Sequence, residues 1–293
     1  MLRISNENPS LMWLLICSIM ILEMLLDIPS AFAHTIQTGV NAMTSSQPIQ
    51  FTPVWPHGEI QEILPDVFFV TGTNKVHHGG VDIQTSRNMT IVRNGSELTL
   101  INSVRLNEEG LKKLNQLGRV THIVRIGAFH GRDDAFYRSR YPSAQLWGLK
   151  GMTYENGLKS DRELTPGGEM PFPGCALFVF ETSSLPEGIL HIDRAGGVLI
   201  SCDSIQNITA TDQFYSPETA KSFHDQGLVK SANISPIWLG ATHAKGSDFG
   251  KLLKTMTFRH LITAHGKPLM NKAYEQITAT FKRVFPRTKE LCS

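Results

Sequence analysis

Three apolar runs in this sequence stop at residues able to hold a metal. "HIVRIGAFHGRDD" places His130, Asp133 and Asp134 just past a strand-like run, "VLISCD" ends in Asp203, and "LITAH" ends in His265. Imidazole nitrogens and carboxylate oxygens are ligands for zinc and for non-haem iron. A divalent ion held by such groups lowers the pKa of a bound water toward neutrality and makes hydroxide available for hydrolysis. One strand-end histidine alone reads as a hydrogen-bonded structural group. Three such ends in sequence order point to a site.

A site of this kind needs a rigid sheet beneath the loops that carry it. The pattern supplies strands. "EILPDVFFVTGT" is a strand interrupted at Pro65-Asp66, and "MTIVRNGSELTLINS" is a hairpin around Asn94-Gly95. "LNEEGLKKLNQLG" has helical spacing and stops at Gly118. "VTHIVRIG" and "AQLWGL" are further strands, separated by a short helix, "DDAFYRSRYP". In the second half, "CALFVFET" is a strand and "ILHIDRAGGVLISCD" is a hairpin around residues 195–197. "SPETAKSFHDQG" is a helix capped by Ser216, with Pro217 at its first position. "SDFGKLLKTM" and "KAYEQITATFKRVF" are helices on either side of the strand "RHLITAH". Two blocks, each strands and then helices, predict a sandwich of sheets with helices outside, an α/β architecture of the α+β type.

The chain has 293 residues, is 41% hydrophobic and 18% charged, and carries a formal net charge of +2. That balance gives no electrostatic footprint for nucleic acid. Residues 1–33 read as a secretory signal peptide: Arg3, the short apolar core "LMWLLICSIMIL", and the small-residue pair Ala31 and Ala33, with cleavage predicted after Ala33. The apolar run is too short for a comfortable span, and Glu23 and Asp27 follow it, so no stable membrane insertion is expected after cleavage. The mature protein is therefore expected to be secreted or periplasmic. Residues 34–58 read as a flexible leader and 59–293 as the folded domain. Of four cysteines, Cys17 lies in the signal; Cys175, Cys202 and Cys292 remain, an odd number without CxxC spacing. A disulfide framework is excluded, while a Cys175–Cys202 bridge and two buried thiols both stay open.

The order of elements and the three strand ends resemble the metallo-β-lactamase superfamily over about residues 59–275. The likeness is carried by "LTLINSVRLNEEGLKKLNQLGRVTHIVRIGAFHGRDD", "GGVLISCDSI" and "FRHLITAHGKPL". It implies a four-layer αββα sandwich with a metal centre on one edge. The superfamily's H-x-H-x-D-H signature falls on Ala128-Phe129-His130-Gly131-Arg132-Asp133, which keeps only its second histidine. The branch resembled thus has an altered metal motif, and the usual two-zinc centre is incomplete. Asp203 matches the bridging aspartate, with Cys202 in place of the preceding glycine, and His265 matches the late histidine.

The expected metal set is His130, Asp133, Asp203 and His265 around one divalent ion, zinc ahead of iron. Asp133 or Asp134 would orient the attacking water and shuttle its proton; capping the short helix is the alternative for Asp134. Arg132 would clamp an anionic substrate or pair with a neighbouring acid. His78, which with His77 is expected in a Gly-rich loop after a strand, "KVHHGGVDIQTSRN", and Trp238, after Pro236, would border the substrate, a small molecule. The reading that follows is a single-metal hydrolase of an ester, lactone, amide or phosphoester. Its rival is an extracytoplasmic binding module that has lost its metal. An iron oxidoreductase is a third reading.

Overall fold

The structure is a computed structural model that describes residues 51–287, apart from residues 79 and 156. The signal segment, most of the leader, Cys17 and Cys292 lie outside the described residues. A seven-stranded sheet runs in chain order: β1 (Gln61–Leu64), β2 (Val67–His78), β3 (Val81–Asn94), β4 (Glu97–Ile101), β5 (Arg119–Arg125), β6 (Gln145–Leu149) and β7 (Arg162–Leu164). Strands β1 to β4 are antiparallel neighbours, and β4 to β7 are parallel ones. A second sheet contains β8 (Cys175–Val179), β9 (Gly188–Ile192), β10 (Val198–Ser201) and β13 (His260–Thr263), in the order β13-β10-β9-β8. A small ladder joins β11 (Ile205–Ile208) to β12 (Lys230–Ile234). The described helices are α1 (Glu108–Leu117), α2 (Asp134–Arg140), α3 (Pro217–Asp225), α4 (Pro236–Thr242), α5 (Gly246–Thr255) and α6 (Ala273–Val284).

The central strands are apolar on both faces, and the period of two sorts their side chains into separate cores. Val67, Phe69, Val92 and Val124 of the first sheet meet Leu190, Ile192, Ile200 and Ile262 of the second. The alternate residues Phe68, Val70, Ile91 and Ile123 face Leu111 and Leu114 of α1 and Tyr137 of α2. Ile189, Leu199 and Leu261 face Trp238 of α4, Phe249 of α5 and Ile277 and Phe281 of α6. Three stacked cores make the four-layer αββα sandwich. Truncating one of the wholly buried leucines, such as Leu114, to alanine would cost about 2–5 kcal/mol.

Local signals explain most element ends. Asn94 and Glu97 close the β3–β4 hairpin, and Gly95 takes the left-handed conformation (φ 61°) that its turn requires. Asn107 caps α1 by accepting from the Gly110 amide at 2.8 Å, and Ser216 caps α3 by accepting from Thr219 at 3.1 Å.

Two stretches differ from the sequence expectation. Residues 51–58 are pinned to the fold. The Pro56 carbonyl accepts from the Thr73 amide, His57 accepts from the Asn107 amide, and the Phe51 ring meets Phe136 edge-on. Their polar, aperiodic sequence concealed these tertiary bonds. Residues 77 and 78 belong to the end of β2 rather than to a loop, because β2 and β3 stay paired as far as His78 and Val81.

Candidate metal centre

Parallel pairing of β10 with β13 sets Ser201 opposite Thr263. Asp203 and His265 each lie two residues beyond that pair, so the register alone makes them neighbours. His130 comes from the other sheet, on the loop between β5 and α2. That loop is tied across the sandwich, since Gly188 donates to Ile126 at 2.8 Å and Ala128 donates to Pro186 at 3.0 Å. Gly127 is required at this crossing: a β-carbon there would lie 2.6 Å from Glu187 Oε2 and 2.8 Å from Cys202 Cβ.

Three side chains converge. His130 Nε2 lies 3.2 Å from His265 Nε2 and 3.4 Å from Asp203 Oδ2, and His265 Nε2 lies 3.2 Å from Asp203 Oδ1. Two donors bound tetrahedrally at about 2.0–2.1 Å are separated by about 3.3 Å, so each of these spacings suits a zinc site, with Asp203 presenting one carboxylate oxygen to each histidine. His265 Nδ1 is 2.8 Å from the Ser86 carbonyl, which can only accept. Nδ1 therefore carries a proton, and Nε2 is the ring nitrogen turned toward the cluster, an outer-shell arrangement typical of ligating histidines. Burial holds His130 below its ordinary pKa and keeps the imidazole neutral. Burial alone would raise the Asp203 carboxyl, but its bonds to His130 and His265 reverse this and hold it well below the carboxylate range. A neutral His130 and an ionised Asp203 are protonation states that ligation needs. The donor set thus fits a divalent cation.

Two supporting residues were not legible in sequence. Cys202 Sγ lies within 4.8 Å of the ligand atoms of His130 and Asp203 and is wholly buried. Burial raises its pKa, so it is a thiol, and its adjacency to Asp203 was the available signal. Both Cys202 and Cys175 are free, which removes the bridge between them. Glu187, also buried, accepts from the amides of Asp203 at 2.9 Å and Ser204 at 2.7 Å and so fixes the turn that aims Asp203. Burial, then the Asp203 charge, raise its pKa well above the ordinary value.

The structure disposes the other expected site residues differently. Asp133 is held elsewhere: it pairs with buried Arg87 at 3.2 Å and accepts from the Arg105 amide at 2.9 Å and from Thr52 Oγ1 at 2.5 Å. Both carboxylate oxygens are committed, which corrects its expected ligand and proton-shuttle roles. Asp134 is buried at the start of α2 and accepts from Ser103 at 2.7 Å. Burial raises its pKa to about 6, and no side-chain cap is formed. Its second oxygen, Oδ2, has no hydrogen-bond partner among the described residues. Arg132 is half-buried, has no ion pair among the described residues and is absent from the cavity wall beside Asp203 and His265. His78 pairs in register with Val81, which is in that wall, and Trp238 is part of it.

That cavity, about 290 Å³, opens beside Asp203 and His265. Its wall combines the β2–β3 hairpin, Phe129 of the His130 loop, β11, α3 and α4.

No protein-family model matches the chain, and no curated relative matches it. Solved structures do. VMB-1 superimposes with a TM-score of 0.55 at 11% identity, covering 77% of this chain and 97% of that one. The metallo-β-lactamase FIM-1 from Pseudomonas aeruginosa, in its mono-zinc form, gives 0.51 at 12% identity, covering 79% and 98%. A metallo-β-lactamase from Pontibacter korlensis gives 0.51 at 10% identity, covering 76% and 98%. The fold is that of the metallo-β-lactamases, as the strand order and strand ends had indicated.

Proposed function

We propose that this chain is a metal-dependent hydrolase centred on one divalent ion, zinc, held by His130, Asp203 and His265, which leaves a fourth position for water beside the buried Cys202 thiol. The observation that carries the reading is the convergence of His130 Nε2, His265 Nε2 and the two Asp203 carboxylate oxygens, with the imidazole nitrogens 3.2 Å apart and each 3.2–3.4 Å from one of those oxygens. When bound, zinc supplies an activated water at neutral pH. The chain's own residues do the rest. Ser86 orients His265, Glu187 orients Asp203, and Phe129 and Trp238 form apolar wall beside the reacting end. Two histidines and one carboxylate hold zinc in hydrolases and non-haem iron in oxygenases, and zinc is the ion that the hydrolytic reading calls for. The substrate is a small molecule that enters the cavity, and the protein acts outside the cytoplasm after losing residues 1–33.

Titration of purified, untagged protein with zinc, followed by elemental analysis, tests the centre. About one equivalent of zinc retained after dialysis is expected; less than about a tenth of an equivalent overturns the reading. If zinc is not retained while the cavity still binds ligand, the chain is a binding module. N-terminal sequencing of the exported protein should begin at His34; an intact Met1 overturns the export proposal.

A further inference from the structure

Charge is unevenly placed along the chain. Residues 51–242 carry 17 Lys and Arg against 20 Asp and Glu, a net of −3, while residues 243–287 carry nine against two, a net of +7. Those nine cations are all exposed. Of the two acids, Asp248 is buried and accepts from Thr182, which leaves Glu275 at the surface. Lys251 pairs with Glu181, and the other eight cations have no ion pair among the described residues.

These residues hold α5, β13 and α6. The two helices lie over the second sheet, with Phe249, Leu252, Ile277 and Phe281 turned inward. Tyr274, at the start of α6, donates to the Leu253 carbonyl near the end of α5 at 3.2 Å. Phe249, in α5, stacks on Phe285, just past the end of α6. Each helix therefore begins beside the end of the other, and the cations gather at both ends of the layer. Lys254, Arg259 and Lys272 belong to one end, Lys245, Lys282 and Arg283 to the other. Lys254, Arg259, Asn271 and Tyr274 share a surface hollow.

The fold does not account for this placement. The helix dipole favours a cation in the last turn, which covers Lys254, Lys282 and Arg283. Lys245 and Lys272 stand at the N-caps of α5 and α6, where the dipole opposes a positive charge and where neither side chain caps the helix. Cations that neither pair with an acid nor serve their helices are complementary to an anion outside the chain. A nucleic-acid strand is held in a basic groove with a run of stacking aromatics. Here Tyr274 is the one exposed Phe, Tyr or Trp of the layer among the described residues. Charge spread over the outside of two helices suits a sheet of anionic headgroups instead. A tyrosine with an apolar ring and a polar tip suits the same boundary.

We infer that the outer face of α5 and α6 docks on an anionic phospholipid surface, by charge and without insertion. The inference is independent of the hydrolase reading.

Co-sedimentation of the full chain is measured with vesicles of phosphatidylcholine alone and with about a third of phosphatidylglycerol added. The apolar run at residues 11–22 meets both kinds of vesicle alike, so the ratio of the two partition constants reads charge. Each cation near an anionic surface is worth about fivefold, so a ratio of at least about tenfold is expected at low salt. It should collapse toward one at about 1 M salt, where charges are screened within about 3 Å. Lys245→Glu combined with Lys272→Glu should bring the low-salt ratio near one. The same pair should leave the thermal midpoint at or above that of wild type, because an acid at a helix N-terminus is favoured. Lys112→Glu combined with Lys150→Glu is an equal change of net charge at exposed positions on the first sheet's side, and should keep the ratio within about twofold. A wild-type ratio near one, an equal loss in the second pair, or earlier melting of the first pair overturns the inference. Binding of double-stranded RNA without preference for the anionic vesicles makes the face a nucleic-acid surface and overturns it as well.

Discussion

Asp203 and His265 face each other at 3.2 Å because each follows the parallel pair Ser201–Thr263 by two residues. The contact is a consequence of strand register, so the sheet, and not the loops, sets this edge of the centre. Asp203→Asn and His265→Ala should each lower zinc affinity at least about 100-fold, beyond the range seen for outer-shell losses. Both side chains lie past the strand ends, so the circular dichroism spectrum should stay that of the native chain. Calorimetric titration with zinc measures the loss, and native-like affinity in either variant would remove that residue from the centre.

Gly127 bridges to Glu187 where the two sheets meet at the site. Gly127→Ala would push a methyl group against Glu187 and Cys202, and overpacking of this kind costs about 1–3 kcal/mol. Urea denaturation should show that loss. Zinc affinity should fall as well, because Glu187 aims Asp203. A stable variant with unaltered zinc binding would mean that the crossing has slack the structure does not contain.

The strand ends were legible because buried strands are written as unbroken apolar runs, and a His or Asp that stops such a run stands out. "VLISCD" and "LITAH" show this plainly. The partners were not legible, because they arrive from distant strands. Ser86 and Arg87 lie in β3, and Glu187 lies just before β9. The misplacement of Asp133 has the same origin. Its position in the motif says nothing of the buried guanidinium that captures it. Short elements such as α4 and β11 escaped notice for lack of length: four or seven residues give no period to read.

Asp134 makes stability depend on pH in an uncommon direction. Burial raises its folded pKa to about 6, above the ordinary carboxyl value. The folded state therefore binds the proton more tightly than the unfolded chain, and this group's contribution to stability falls as pH rises from about 4 to 6. Below that window the contribution is neutral; above it the penalty is up to about 3 kcal/mol. Asp134→Asn removes the titration. The stability of the variant relative to wild type should rise with pH between about 4 and 6 in urea denaturation. A difference independent of pH would place an ordinary carboxyl there.

The pair Arg87–Asp133 decides between two roles for Asp133, as ion-pair partner and as metal ligand. Both side chains are almost fully buried and sit 3.2 Å apart. Asp133→Asn leaves a buried guanidinium unpaired, and Arg87→Met leaves a buried carboxylate unpaired; each should cost about 3–5 kcal/mol. The double variant loses both charges together, so its cost should be well below the sum of the two. Zinc affinity of a folded Asp133→Asn protein should match wild type within about threefold, since residues that neither touch nor orient the ligands contribute little. Additive losses would dissolve the pair. A large drop in zinc affinity would return Asp133 to the metal, because only a ligand or its direct support could act on the ion from beyond the triangle of His130, Asp203 and His265.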